Sequence, residues 1–323
     1  MSTVIESKPF KALRGGVTKG VRTFLWLAAI MIPVSFLVTV LQFYGIVDQL
    51  AGLMEAPFRA MGLPGSSALV VVTSVLLNLY SAIGVMFGLG LSLRAITILA
   101  VVCLIAHNFL VELVVTKRTG TPILRMLLLR TIAAFIAGFL LNLVLPESLG
   151  VLESGEALSL SESGAAGTLS AALRGWLRQT LPLMGRVLLI VVLLMTFVSF
   201  LQSYGLTALI ARRLSGLMRL FGLPKEVAFL WLVSNTLGLA YGAGVLVEEV
   251  RAGSLSTADG DLLNHHLGIS HSLLEDTLLF VALGVPALAI LIPRLLLAFL
   301  AVWERRGERA LSAAFRKMSV IDR

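Results

Sequence analysis

Imidazole and carboxylate side chains in one short stretch are the residue types that bind divalent cations or relay protons. This chain gathers them at His265–Asp276, HHLGISHSLLED, which holds three of its four histidines and the adjacent acids Glu275 and Asp276. The fourth histidine, His107, lies in AHNFLVE. Both His107 and His271 are followed five residues later by an acid, Glu112 and Asp276. Asn108 and Ser272 stand four residues before those acids, on the same helical face. Glu275 stands at i+4 from His271, a spacing that lets the two share one cation. The candidate metal set is therefore His107, His271, Glu275 and Asp276. His265 and His266 have no counterparts around His107 and are expected near the outer surface.

The elements that must position these groups lie in a bilayer. Of the 323 residues 58% are hydrophobic and 14% charged, and the mean hydropathy is +0.96. That is too apolar for a soluble domain. Apolar runs cover 23–44, 66–90, 95–115 and 123–145, and polar groups at such depth are costly and functional by default. The stretch 47–65, ended by Gly62-Leu63-Pro64, reads as an interfacial helix. Cys103 is the only cysteine, which excludes an internal disulfide or a CxxC site. The +8 charge reads as membrane topology, not as nucleic-acid binding. No phosphate loop, nucleophile elbow or HExxH motif is present. Neither an enzyme, a cofactor nor a nucleic-acid partner is expected.

The chain repeats itself. Residues 41–64 match 201–224 at nine of 24 positions at an offset of 160. Beyond a short insertion near 247–251 the offset is 164, pairing His107 with His271, Glu112 with Asp276 and Arg130 with Arg294. The domains are then a basic tail (1–21), a first repeat (22–145), an acidic Gly/Ser-rich linker (146–172), a second repeat (173–304) and a basic tail (305–323). Such repeats point to a transporter-like architecture.

Charge sets their orientation. If the His-bearing segment of each half enters and leaves on one side, each half has three spans and the second half is inverted. The two termini, Arg94, the 117–125 loop and the 212–225 stretch then share the cytoplasmic side with 19 of the 26 Lys and Arg. Only Arg59, Arg174, Arg178 and Arg251 fall outside, in keeping with the positive-inside rule. The expected fold is an all-α polytopic membrane protein. It has two inverted-topology repeats, each with three spanning helices, an interfacial helix and a re-entrant or broken helical hairpin. The second apolar run of each half also looks broken, at 78–84 and 234–244, and facing breaks leave free backbone groups near the midplane. Asn78, Tyr80, Ser81, Ser234, Asn235, Thr236 and Tyr241 would suit hydrogen bonding to a small polar solute there. Arg130 and Arg294, each two turns into a last span, are expected to pair with Glu112 and Asp276 as structural ties.

The sequence SNTLGLAYGAG at 234–244, the GLP-ended amphipathic helix and HSLLEDTLLF at 271–280 resemble the nucleoside-recognition, or gate, domain membrane proteins. Related in this broad sense are spore maturation proteins A and B, the membrane part of ferrous-iron permease B and the concentrative nucleoside transporters. The resemblance covers nearly the whole chain as two gate repeats. It implies a transporter or transporter-derived protein with its site between the repeats. The permease's G-domain and Cys-containing gate motifs are absent.

The sequence thus leads to a permease for a small polar solute or ion, coupled to protons or cations. It would lie in a bacterial or archaeal cytoplasmic (inner) membrane with both termini cytoplasmic. Its binding groups would be His107, Asn108, Glu112, Asn78, Ser234, Asn235, Thr236, His271, Ser272, Glu275 and Asp276. Two alternatives stand beside it: a divalent-metal permease, and a non-transporting scaffold whose acids are fully paired with arginine. The expected partners are the lipid bilayer and the solute or cation, with homo-oligomerisation left open.

Overall fold

The computed structural model describes residues 8–46, 49, 55–150, 168–236 and 238–321. All its regular elements are helices. In chain order they are α1 (Lys8–Phe43), α2 (Glu55–Ala60), α3 (Ser67–Leu76), α4 (Leu79–Gly88), α5 (Leu93–Ile105), α6 (Phe109–Arg118) and α7 (Ile123–Val144). The second half follows with α8 (Leu169–Ser203), α9 (Leu206–Leu220), α10 (Ala228–Thr236), α11 (Gly238–Arg251), α12 (Thr257–Ser270), α13 (Glu275–Ala282) and α14 (Ala287–Ile321). Each element of the first half has its equivalent seven helices later. Most of the linker, 151–167, lies outside the described residues. At the basic ends α1 begins at Lys8 and α14 runs on to Ile321.

Among the described residues, four helical segments are long and apolar enough to cross a bilayer: Leu93–Arg118, Ile123–Val144, Leu169–Leu201 and Ala287–Phe315. The chain is a membrane protein with a polar seam inside it. Its lipid-side surface is apolar, with Leu128, Ile132, Phe139 and Leu143 exposed along α7 and Leu181, Leu189 and Leu193 along α8.

The helix pairing corrects one expectation. The His-bearing segments do not turn back on themselves; α5 and α6 run as one broken rod antiparallel to α7 along its whole length. Arg94, at the start of α5, donates to the Asn142 and Leu145 carbonyls at the far end of α7, at 2.8 and 3.3 Å. Arg130 in mid-α7 donates to Ile105 and His107 at the break. The end of α6 turns directly into α7 through Thr119–Gly120–Thr121. In the second half, Asp261 at the start of α12 accepts from Arg305 of α14, and Ile269 at the break accepts from Arg294.

The segments that double back are instead α3–α4 and α10–α11. Gly62, just before α3, abuts Asn142 and Arg94. Gly88, at the end of α4, abuts Val38 of α1, which α4 follows in parallel. Both ends of α3–α4 therefore lie beside the start of α5. Likewise Gly222 accepts from Arg306, while Val250 near the end of α11 lies against Gly260 of α12. Ten-residue arms reach about 15 Å, half of a ~30 Å hydrocarbon core.

The two halves meet antiparallel. At one end Thr121 donates to Asp261 (2.7 Å), Asn264 to the Thr119 hydroxyl (2.9 Å) and Arg125 to His265 Nε2 (2.8 Å). At the other end Leu93 approaches Gly284. Outside this core α1 and α8 pack antiparallel: Gly16 and Gly20 lie against the backbone of Thr196 and Val192, and Trp176 donates to Ser35 at 3.1 Å.

Candidate functional site

The breaks in α5–α6 and α12–α13 are built alike. Each helix ends where a residue takes the left-handed conformation, Asn108 at φ 50° and Ser272 at φ 52°. Such conformations suit Asn, and they free backbone groups that a continuous helix would satisfy. The freed N–H groups go to the facing hairpin tips: Asn108 N–H donates to the Ser74 carbonyl (2.9 Å) and Ser272 N–H to the Ser234 carbonyl (3.1 Å). The freed carbonyls go to arginine. Arg130 Nε and Nη2 reach the Ile105 and His107 carbonyls at 2.7 and 3.0 Å. Arg294 reaches those of Ile269 and His271 at 3.0 and 2.5 Å. Both arginines are almost wholly buried, at 1% and 0% exposure.

The histidines are fixed the same way. Nδ1–H of His107 donates to the Cys103 carbonyl (2.9 Å) and Nδ1–H of His271 to the Leu267 carbonyl (2.7 Å). A carbonyl only accepts, so Nδ1 of each ring carries a proton, and in its neutral form each ring presents an unprotonated Nε2. The two Nε2 atoms, one from each half, face each other at 3.1 Å. Glu112 Oε1 completes a triangle, 3.3 Å from His107 Nε2 and 3.4 Å from His271 Nε2. Glu112 Oε2 is held by Arg130 Nη1 at 2.5 Å. Three acceptors of a proton or a metal thus converge in a buried place. Glu112 sits in the first turn of α6, where the helix dipole also favours a carboxylate.

The second half departs from the symmetry. Phe109, which opens α6, corresponds at the offset of 164 to Leu273, but α13 begins only at Glu275. That displaces the acids that follow. The expected Arg294–Asp276 ion pair is not formed: no Asp276 oxygen lies within 4.0 Å of Arg294, whose Nη1 is buried without a hydrogen-bond partner. Asp also lacks the methylene that lets Glu112 span the gap. The expected pairing of Glu275 with His271 is replaced too, since Glu275 accepts from the Tyr80 hydroxyl of α4 at 3.1 Å. The triad is therefore His107, His271 and Glu112. Glu275 and Asp276 are its neighbours, close enough for Asp276 to interact electrostatically with Glu112.

Other sequence-selected residues have mainly structural bonds. Asn78 caps α4, its side-chain oxygen accepting from Ser81 N–H at 2.9 Å. Thr236 bonds back to the Leu232 carbonyl. Asn235 donates to Trp231 and leaves its buried side-chain oxygen without a partner. Tyr241's side chain lies outside the described ones. His265 and His266 are not at a surface; both are 0% exposed. His265 bridges the Asp261 carbonyl and Arg125. His266 accepts from Trp231 and packs on Phe221. Sequence reasoning passed over Ser74, although the repeat offset of 160 pairs it with Ser234, and passed over the Thr119–Asn264–Asp261 seam, for which no signal existed before the halves were docked.

These features define a class: an all-helical membrane protein with two similar halves and a buried polar centre. Residues 184–301 match the family model described as nucleoside recognition, the gate domain. Over 292 residues, 90% of this chain and 92% of the relative, the sequence is 32% identical to the uncharacterized membrane protein YvoD of Bacillus subtilis (strain 168). The chain belongs to this family of gate-domain membrane proteins. No solved structure matches it.

Proposed function

We propose that the chain is a transport protein of the cytoplasmic membrane that binds a small polar solute or ion at the His107–Glu112–His271 triad. The observation that carries this reading is the meeting of three acceptor atoms, one side chain from each half and one acid, at the point where both broken helices face both hairpin tips. Irregular backbone at such depth is tolerated only where it is buried in protein or lines a cavity, and transporters place their sites there.

In this reading each half supplies three spans, α1, α5–α6 and α7, then α8, α12–α13 and α14, with the second half inverted. The re-entrant hairpins are α3–α4 and α10–α11. The N-terminus, the 117–125 loop, α9 and the end of α14 lie on the cytoplasmic side, and Arg59, Arg94, Arg174 and the linker lie outside. The positive-inside rule supports this placement. A non-transporting scaffold is less well supported. It calls for a closed, dry midplane with both acids paired with arginine, and of the two acids only Glu112 is so paired.

The test is solute and ion flux in proteoliposomes. Wild type should move a member of a panel of polar solutes and cations, and Glu112→Gln should lower that flux at least tenfold. Absence of flux for the whole panel, or full flux in the variant, would count against the reading.

A further inference from the structure

We infer that the triad is a divalent transition-metal site with His107 Nε2, His271 Nε2 and Glu112 Oε1 as its protein ligands. This rests on the reading of the triad as the binding site, and goes further by naming what it takes.

The first argument is the count of donors. Both Nδ1 protons are committed to backbone carbonyls, so each ring in its neutral form offers its Nε2 lone pair. Glu112 Oε1 offers another, its sister oxygen being held by Arg130. One proton can bridge only two of these three atoms at a time. One cation in the middle satisfies all three.

The second argument is size. Ligand atoms held about 2.1 Å from one ion stand roughly 3.0 Å apart at right angles and roughly 3.4 Å apart at tetrahedral angles. The triangle's edges are 3.1, 3.3 and 3.4 Å. The third argument is the donor set. Two imidazoles and a carboxylate are a three-ligand set that leaves further positions open, and they favour first-row transition ions over Na⁺, Mg²⁺ or Ca²⁺, which prefer oxygen.

The surroundings agree. Each imidazole's outer nitrogen and the carboxylate's outer oxygen are fixed by hydrogen bonds, as outer partners of metal ligands usually are. In this buried cluster the carboxyl groups Glu112, Glu275 and Asp276 outnumber the guanidinium groups Arg130 and Arg294. Asp276 makes no ion pair there and can offset added positive charge.

The experiment is Co²⁺ titration of the purified, tag-free protein in nanodiscs, read by visible d–d absorption and by bound metal per chain, with Zn²⁺ as competitor. One Co²⁺ per chain, with bands of a low-coordinate nitrogen/oxygen site and displacement by Zn²⁺, is expected. His107→Gln and His271→Gln should each weaken Co²⁺ binding at least about 100-fold, more than loss of an outer partner costs. Glu55→Gln, in an exposed pair with Arg59 away from the triad, should bind as wild type does. Glu112→Asp keeps a carboxylate in the cluster but lacks the methylene that spans the gap, so it should weaken binding less than the His variants do and shift the bands, which covers the case where the Gln variants fail to fold. Folded wild type that takes up no stoichiometric Co²⁺ or Zn²⁺, or Glu112→Asp with unchanged bands, would overturn the site. Co²⁺ bound without any flux leaves the metal site standing and removes the transport reading. Flux of another solute with no metal bound does the reverse.

Discussion

At the scale of the residue, the informative comparison is Arg130 with Arg294. The sequence presents them as a pair tied to acids. In the fold, each first closes a broken helix by taking two carbonyls that α5 or α12 leaves free. Arg130 holds Glu112 as well, while Arg294 keeps one guanidinium N–H unpaired. Removing Arg130 strands two buried carbonyls and one buried carboxylate. Breaking a buried ion pair from one side costs about 3–5 kcal/mol. Arg130→Met is therefore expected to unfold at markedly lower denaturant or temperature than Arg294→Met, as measured by detergent-phase unfolding. Equal losses in the two variants would show that the Glu112 contact adds nothing. The acid-after-histidine spacing was legible in both halves. Which acid reaches the histidines was not, because a delay of two residues in the start of α13 is invisible in a pattern of residue types.

At the scale of the element, the outer pair α1 and α8 holds the halves together from outside the polar core. Lipid tails are as apolar as leucine, so helices in a bilayer associate through close packing of small residues. Gly16 and Gly20, one turn apart, set α1 directly on the backbone of Thr196 and Val192. A side chain at either would push the helices apart. Gly15, next along the chain, faces open space. Gly16→Leu and Gly20→Leu should each lower the unfolding temperature in detergent by several degrees, and Gly15→Leu should leave it near wild type. If Gly15→Leu proves as harmful as the other two, the packing account fails. Nothing along the chain separates Gly15 from Gly16, since the face a glycine presents depends on where the partner helix lies.

At the scale of the whole molecule, the question is which segment of each half turns back. Assigning re-entry to the His-bearing segments or to α3–α4 and α10–α11 leaves the charge balance unchanged. The exchange moves Arg94 to the outer side and Arg251 to the inner one, so the positive-inside rule could not separate the two arrangements. Impermeant maleimide labelling can. In a Cys103→Ala background, Ser92→Cys and Lys117→Cys flank the His-bearing segment of the first half at exposed positions. They are expected to label from opposite sides of sealed vesicles. Labelling of both from one side would restore the hairpin at 95–115.

The sequence by itself determined that the protein is helical and membrane-embedded, that it is built twice, and that His107, His271 and a following acid recur in each copy. Hydropathy, repeat offset and residue spacing are sums or registers along the chain, and they survive without knowledge of contacts. Tertiary structure decided the rest. Two ten-residue arms and one broken rod have similar length and apolarity, so only the antiparallel docking of α5–α6 on α7, and of one half on the other, tells them apart. The same docking brings His271 onto His107, 164 residues away, and onto Glu112, and leaves Asp276 aside, turning two copies of one motif into a single triad.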